Sequence, residues 1–356
     1  VTALTPSNEV ALRSEPIADQ QRPARILTAF LQKETIPHAL LFTGIEGVGK
    51  NRAATVFAMA ANCGQSAAKR GTAGLQPCGT CRSCRKIEKQ LHPDILRIQP
   101  DGRTIRIHQI RTLIETLSLK PMEARTRFVI VERADTMRPA AGNALLKTLE
   151  EPPDRTVLIL LATQAAALLP TIVSRCRQVR FHPVSIRSIA RRLVADHGVT
   201  ETDAALAAAA SGGSFTRAVE ISASGWTLWR DWLLEASGLD RPDRLPQKPL
   251  GELLAFAAQL ANKKTQVPEA LETMAGWLRD LIVIRHDAGK VINIDRTEGL
   301  QRAADRLSVG DLMDKIDAIR QAQESIDANG NLRLTLEAMV LRLSQDCAKG
   351  KRLYDV

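Results

Sequence analysis

The sequence predicts a parallel α/β core of the phosphate-loop type followed by an all-helical second half, and three observations predict it. Residues 44–51 read Gly44-Ile45-Glu46-Gly47-Val48-Gly49-Lys50-Asn51, a phosphate-binding loop set between the apolar strand His38 to Phe42 and an alanine-rich helix, Asn51 to Asn62. The apolar runs Phe128 to Val131 and Val157 to Leu161 read as fully buried strands alternating with helix-spaced segments, the pattern of a parallel sheet covered on both faces. Beyond Phe181 runs of strand type stop, and the composition turns to Ala, Leu and Arg.

The 356 residues suffice for about two or three domains and a substantial core. A net charge of +10 points to an anionic partner. No apolar run approaches the length of a membrane span, and the first residues carry no charged region followed by a long apolar stretch. The expectation is a cytoplasmic protein.

A glycine-rich turn between strand and helix aims several backbone N–H groups at one point, reinforced by the positive end of the helix dipole, and phosphate is its natural occupant. Gly44, Gly47 and Gly49 form that turn, and Lys50 would reach the β- and γ-phosphates of ATP or ADP. The motif then requires a short hydroxyl to hold Mg²⁺. Asn51 offers a longer amide, a poorer fit to strict octahedral geometry. Nucleotide binding is expected here, and hydrolysis is not.

Four of the six cysteines lie between positions 63 and 84, three of them in Cys78-Gly79-Thr80-Cys81-Arg82-Ser83-Cys84. Two-residue gaps let thiolates meet around one tetrahedral ion, so a structural Zn²⁺ is expected, with Cys63 as the natural fourth ligand and His92 as the alternative. Four thiolates close the shell and leave no position for a reacting water. Cys176 reads as a buried apolar thiol and Cys347 as an ordinary tail cysteine.

Next come a short strand, Ile95 to Ile98, a turn at Pro100-Asp101-Gly102, and a helix on which Ile110, Leu113, Ile114 and Leu117 repeat. The strand Phe128 to Val131 runs into Glu132-Arg133-Ala134-Asp135. In phosphate-loop hydrolases such a strand ends in an acid near Mg²⁺ and an acid that polarises water. Glu132 takes the first place with a longer arm. Arg133 takes the second, and a guanidinium accepts no proton at neutral pH. A helix from about Arg138 to Leu149 precedes the strand Val157 to Leu161, and the proline-broken turn that follows carries Arg175. Helices at roughly Ile186 to His197 and Glu201 to Ala210 lead to Ser211-Gly212-Gly213-Ser214, after which the chain is helical to the end apart from a break at Asp240 to Pro249. Leu312, Ile316, Ile319, Ala322 and Ile326 form the stripe of a helix packed on other helices, either within the chain or across an oligomer seam.

Taken together, the phosphate loop, the cysteine cluster in the insertion after its helix, Glu132-Arg133-Ala134-Asp135, the run Asn143 to Pro153 and Ser174-Arg175-Cys176 resemble the clamp-loader subunits of bacterial DNA polymerase III. The resemblance is strong from about Gln21 to Phe181 and weaker beyond, where Asn331 to Glu337 looks like the family's last helix. It implies an AAA+ core over residues 1–182 with a zinc module at about 63–92, a helical lid over 183–222, and a helical collar over 223–356 that joins five subunits in a ring. Motor subunits of this family carry a complete loop and acidic pair. The present chain looks like the non-motor type, whose own ATP site is degraded while its arginine finger is kept, and weak or absent ATPase activity is expected. By the same resemblance Arg175 points into a neighbour's ATP site, Arg217 matches a lid arginine that senses nucleotide, and Thr163 lies near the position that senses the γ-phosphate. The implied partners are the gamma/tau and delta subunits, with the sliding clamp and primer-template DNA reached through the complex. Two other readings stay open: a motor ATPase of the same family, and a zinc-ribbon nucleic-acid binder. Arg103, Arg106 and Arg111 are candidates for a row facing DNA or for solvated helix charges.

Overall fold

The structure is a computed structural model and describes residues 19–33, 35–64, 75–240, 249–305 and 307–344. Residues 65–74 of the spacer between Cys63 and Cys78, residues 241–248 of the expected break, and Cys347 lie outside the described residues. Two compact units are present, one formed by the chain up to Gly198 with Gly212–Ala218, the other by Val199–Ser211 with the chain from Val219 onward.

In the first unit, β1 (Ala39–Thr43), β2 (Ile95–Ile98), β3 (Arg127–Val131), β4 (Thr156–Ala162) and β5 (Arg177–Arg180) form one parallel sheet in the order β2-β3-β4-β1-β5. Successive side chains of a strand point to opposite faces, and both faces here are apolar. Leu40, Phe42, Phe128, Ile130, Ile159 and Leu161 pack with Leu27 of α1 (Gln21–Gln32) and with Val56 and Phe57 of α2 (Lys50–Ala61). Their sequence neighbours Ala39, Leu41, Val129, Val131, Leu158 and Leu160 meet α4 (Ile107–Leu117) and α5 (Pro139–Glu150) on the other face; α3 (Arg82–Glu88) lies earlier, beside the cysteines. Covering of both faces is what makes the strand runs continuous in the sequence. Edge strand β5 escapes that reading because only Val179 of Arg177-Gln178-Val179-Arg180 is buried.

Two of the predicted helices differ from the observed ones by a residue at each end, Lys50–Ala61 for the one expected over Asn51 to Asn62 and Pro139–Glu150 for Arg138 to Leu149, while those expected at Ile186 to His197 and Glu201 to Ala210 coincide. After α6 (Pro170–Val173), helix α7 (Ile186–His197) is capped by the Ser185 hydroxyl, which accepts from Ser188 N–H, and ends at Gly198 in the left-handed region. The turn before β3 is tied to β2 through Asp94, which is 1 % exposed. Its carboxylate accepts N–H bonds of 2.8 Å each from Met122, Glu123 and Ala124, with Arg127 Nη2 at 3.6 Å. Burial opposes its charge, but the backbone donors and the Arg127 guanidinium outweigh it, so the carboxyl titrates below its ordinary value.

The second unit is helical: α8 (Glu201–Ala210), the later part of α9 (Phe215–Ala223), α10 (Trp226–Ser237), α11 (Leu250–Asn262), α12 (Val267–Val283), α13 (Thr297–Ala304), α14 (Val309–Asp327) and α15 (Leu332–Ser344). Its core gathers Leu253, Phe256, Met274, Leu278, Leu312, Ile319, Leu336 and Val340, so the stripe of α14 packs inward on this unit's own helices. Inside it Arg230, 1 % exposed, donates to Asp295 at 2.6 and 2.9 Å, to Asp231 at 2.8 Å and to Asn293 at 3.0 Å. Asp280, fully buried, accepts from Ile292 N, Asn293 N and Asn293 Nδ2 at 2.8 to 2.9 Å, fixing the same turn. No helix among the described residues is long and apolar enough to cross a membrane.

Two stability measurements follow from these buried charges. Arg230→Ala leaves Asp295 paired only with Arg296, 3.9 Å away, and a loss of about 3 kcal/mol is expected in denaturant unfolding followed by tryptophan fluorescence, since Trp226, Trp229, Trp232 and Trp277 all lie in the second unit. Because the folded-state value of Asp94 is lowered, its contribution is present above the unfolded carboxyl value of about 3.9 and is lost as pH falls through the lower folded value. Acid unfolding of Asp94→Asn should therefore begin from a less stable protein and show a shallower loss of stability below about pH 4 than the parent chain.

Candidate functional site

At the carboxyl ends of β1, β3 and β4 lies a cavity of about 450 Å³, the size of a small-molecule site. Gly47, Gly49, Lys50, Asn51, Glu132, Arg133, Asp135, Thr163, Arg192, Phe215 and Thr216 are among its lining. Gly44, Gly47 and Gly49 all lie at positive φ, and at the first two the space for a side chain is closed as well. Gly44, at φ 146, sits where a Cβ would come within 2.7 Å of the Phe181 carbonyl; at Gly47, φ 76, it would lie 2.0 Å from Ser214 Oγ. Gly44 N–H donates to the Thr163 carbonyl at 3.0 Å, so the loop and the end of β4 are joined directly. Gly49 caps α2 in the left-handed region and opens the helix N-terminus toward the cavity.

Lys50 is 9 % exposed, and its Nζ donates to the carbonyls of Gly44 and, at 2.8 Å, Ile45. Burial lowers its pKa, with Glu46 and Asp135 opposing the shift. Thr163 Oγ1 donates to Asp135 Oδ2 at 2.7 Å, while Asp135 Oδ1 is buried with no partner among the described residues. Gln20, just before α1, ties the loop to the chain beyond β5, donating to the carbonyls of Val48 at 3.3 Å and His182 at 2.6 Å. Arg192 stacks its guanidinium 3.8 Å from the Phe215 ring centroid.

The residues expected to hold Mg²⁺ are engaged otherwise. Arg97 Nη1 donates to Asn51 Oδ1 at 2.7 Å and to Glu132 Oε1 at 3.1 Å, and Nη2 donates to Thr55 Oγ1 at 2.6 Å. A guanidinium therefore lies against both oxygens that would have to face the ion, and the set does not fit magnesium. Arg133, in the left-handed region at φ 49, pairs with Glu46 at 3.4 Å, so the water-activating position carries a cation bonded to the loop. Arg97, which bonds two of the lining residues, is the neighbour of the site that sequence reading missed. Its signal was a lone charge inside the strand Ile95-Leu96-Arg97-Ile98.

Arg217 does not line the cavity, although Phe215 and Thr216 from the same segment do; its backbone N–H donates to Ser214 Oγ at 3.2 Å. Arg175 stands apart from the cavity, pairing with Glu150 and donating to the Thr171 carbonyl at 3.0 Å. Arg103, Arg106 and Arg111 are exposed, with Arg106 3.5 Å from Asp101.

The sulfur atoms of Cys63, Cys78, Cys81 and Cys84 all lie within 4.8 Å of one another, a group that could hold a metal ion. A tetrahedron with Zn–S bonds of ~2.3 Å has edges of roughly 3.8 Å, and the Cys78 and Cys84 sulfurs are 3.9 Å apart. N–H donors approach the sulfurs in a ladder: Cys81 N to Cys78 at 3.3 Å, then Cys84 N to Cys81 and Gly64 N to Cys81 at 3.4 Å. Burial opposes ionisation of Cys78, yet the Cys81 N–H, the donors of Thr80 and the Cys63 thiol together lower its pKa to about 6. Cys84, deeper and beside the other sulfurs, is raised by burial first and by Cys81 next. His92 is outside this group and accepts from Asp94 N–H at 3.2 Å through Nδ1. Cys176 is half-buried against the α5 face of the sheet, and burial pushes its thiol up to about 12.

Family models described as DNA polymerase III, delta subunit, and DNA polymerase III, delta subunit, C terminal, match residues 19–185 and 247–345. DNA polymerase III subunit delta' of Bacillus subtilis is 30% identical over 92% of this chain and 96% of its own length. The chain belongs to the delta' family of DNA polymerase III. The delta' subunit of Pseudomonas aeruginosa is also 30% identical, over 86% of this chain and 91% of its own. Subunit tau of Bacillus subtilis is 24% identical over 94% of this chain but only 62% of its own length. With the sheet order β2-β3-β4-β1-β5 and the glycine loop between β1 and α2, the first unit is the parallel α/β core of phosphate-loop type that the sequence predicts.

Proposed function

We propose that this chain is the delta' subunit of the DNA polymerase III clamp loader, a non-motor member that completes a neighbour's ATP site and supports ATP-dependent loading of the sliding clamp onto primed DNA. The observation that carries the reading is the position of Arg175: partly exposed, outside the chain's own cavity, its guanidinium oriented by Glu150 and the Thr171 carbonyl. An arginine supplied in trans stabilises the charge that develops on a transferring phosphoryl group. In the chain's own cavity the expected magnesium-binding pair is held by Arg97, and Arg133 stands at the expected water-activating position, which favours the non-motor role over the motor one. In this reading residues 183–222 act as the lid, residues 223–356 as the collar that joins the gamma/tau and delta subunits, and the complex works in the cytoplasm. Primer-template DNA is met through the complex.

The four cysteines take Zn²⁺ as a structural ion, since four thiolates complete the shell. Cys63 is then the fourth ligand and His92 supports the adjoining turn.

Reconstitution with gamma/tau, delta, clamp and primed DNA tests the finger. Removing an arginine finger costs on the order of 10³-fold at one site, so Arg175→Ala should lower the stimulated ATPase of the assembled complex at least about tenfold with assembly intact. Unchanged turnover would make the finger assignment wrong. Metal analysis of the purified chain should find one zinc per molecule. Cys84→Ser should lower that content and the melting temperature together, and a metal-free parent chain of unaltered stability would overturn the structural-zinc assignment.

A further inference from the structure

Arg97 has no place in the finger or the ring, and it sits where the electrostatics of the cavity are decided. It pairs in register with Ile130, so its side chain shares the α2 face of the sheet with Ile95. There it reaches the i and i+4 residues of one helix, Asn51 and Thr55, and Glu132 at the end of β3. Thr55 Oγ1 gives its own proton to the Asn51 carbonyl at 2.9 Å, leaving its lone pairs for Arg97. All three acceptors are thus compatible with a planar fork, and the guanidinium is mostly buried beside a mostly buried Glu132.

We infer that Arg97 is a built-in replacement for the divalent cation, and that the cavity takes the phosphates of a nucleoside di- or triphosphate without magnesium. In a motor site the ion serves two ends: it offsets the acidic wall and the phosphate charge, and it orders the residue after the loop lysine. Arg97 does the first for Glu132 and the second by holding Asn51. Arg133 does the same for Glu46, so two of the carboxylates lining the cavity already face a cation of the chain. The α2 N-terminus and the loop N–H groups remain for the phosphates, together with the third N–H of Lys50, whose other two go to the Gly44 and Ile45 carbonyls. A magnesium ion drawn to the Asn51 and Glu132 oxygens would meet Arg97 within a few ångströms, and like charges at that distance repel.

The inference concerns the isolated chain and is independent of Arg175 and of ring assembly, so either can fail without the other. Calorimetric titration of the full chain with ADP and with ATP, in EDTA and in excess Mg²⁺, tests it. Binding is expected in EDTA, with Kd changed by no more than about twofold on adding magnesium. Arg97→Met, checked for folding by circular dichroism, should weaken binding in EDTA at least tenfold and should recover affinity when magnesium is supplied. Tightening of the parent chain by tenfold or more with magnesium would overturn the inference, as would failure to bind either nucleotide at millimolar concentration. Undiminished binding by folded Arg97→Met in EDTA would do the same. Should that variant not fold, the magnesium comparison on the parent chain decides the matter alone.

Discussion

The placement of β1 is the constraint on which the rest of the first unit depends. Its five residues are buried on both faces and paired on both edges, with β4 and with β5. A strand so enclosed can deliver its following turn to only one place. That place is narrowed further because Gly44 N–H is bonded to the Thr163 carbonyl and its Cα lies against Phe181 with no room for a side chain. The loop, the start of α2 and the ends of β3 and β4 therefore converge by packing, before any ligand contributes. Such prior ordering is what lets a small cavity present fixed donors to a charged group.

The parts of this arrangement that were legible in the sequence are those written in local pattern. Glycine spacing with an apolar run before it and a helix after it located the cavity, and the Cys78-to-Cys84 spacing located the sulfur cluster. Asn51 and Arg133 were legible as departures, because a motif specifies which chemistry ought to stand at each position. Arg97 was not, since one arginine in a four-residue strand says nothing about which helix its fork will meet; Asn51 and Thr55 are brought to it by α2 and Glu132 by the end of β3. Arg217 marks the opposite limit. Its motif was readable, yet one step along a helix turns a side chain by about 100°, and Phe215 and Thr216 line the cavity while Arg217 does not. Strand β5 was hidden because alternation cannot be read from a single buried valine.

The two positions where an acid or hydroxyl gave way to another group belong to one electrostatic solution. Asn51 accepts from a cation that a serine side chain would be too short to reach in the same way, and Glu132 is long enough to meet it from the opposite side. Arg133 pairs with Glu46 among the lining residues. Charge that a hydrolysing relative would leave to an exchangeable ion is supplied from within the fold, while the exposed Arg175 keeps its charge on the outside. A cavity built this way keeps cations of the chain itself at two of its acidic lining positions.

Helix α2 links the two special regions of the first unit end to end. Lys50 begins it at the cavity, Cys63 follows it at the sulfur cluster, and Met59 packs with Cys63, Cys84 and Ile87 at its far end. Arg52 near its start bonds Glu88 of α3 at 2.8 Å, closing a second link between the two. The helix thus works as a gauge of fixed length. One added residue would advance Cys63 by ~1.5 Å and swing it by about 100° relative to Lys50, so no position of the loop could satisfy both ends at once. Such a segment tolerates exchange of one side chain for another far better than any change in the number of its residues.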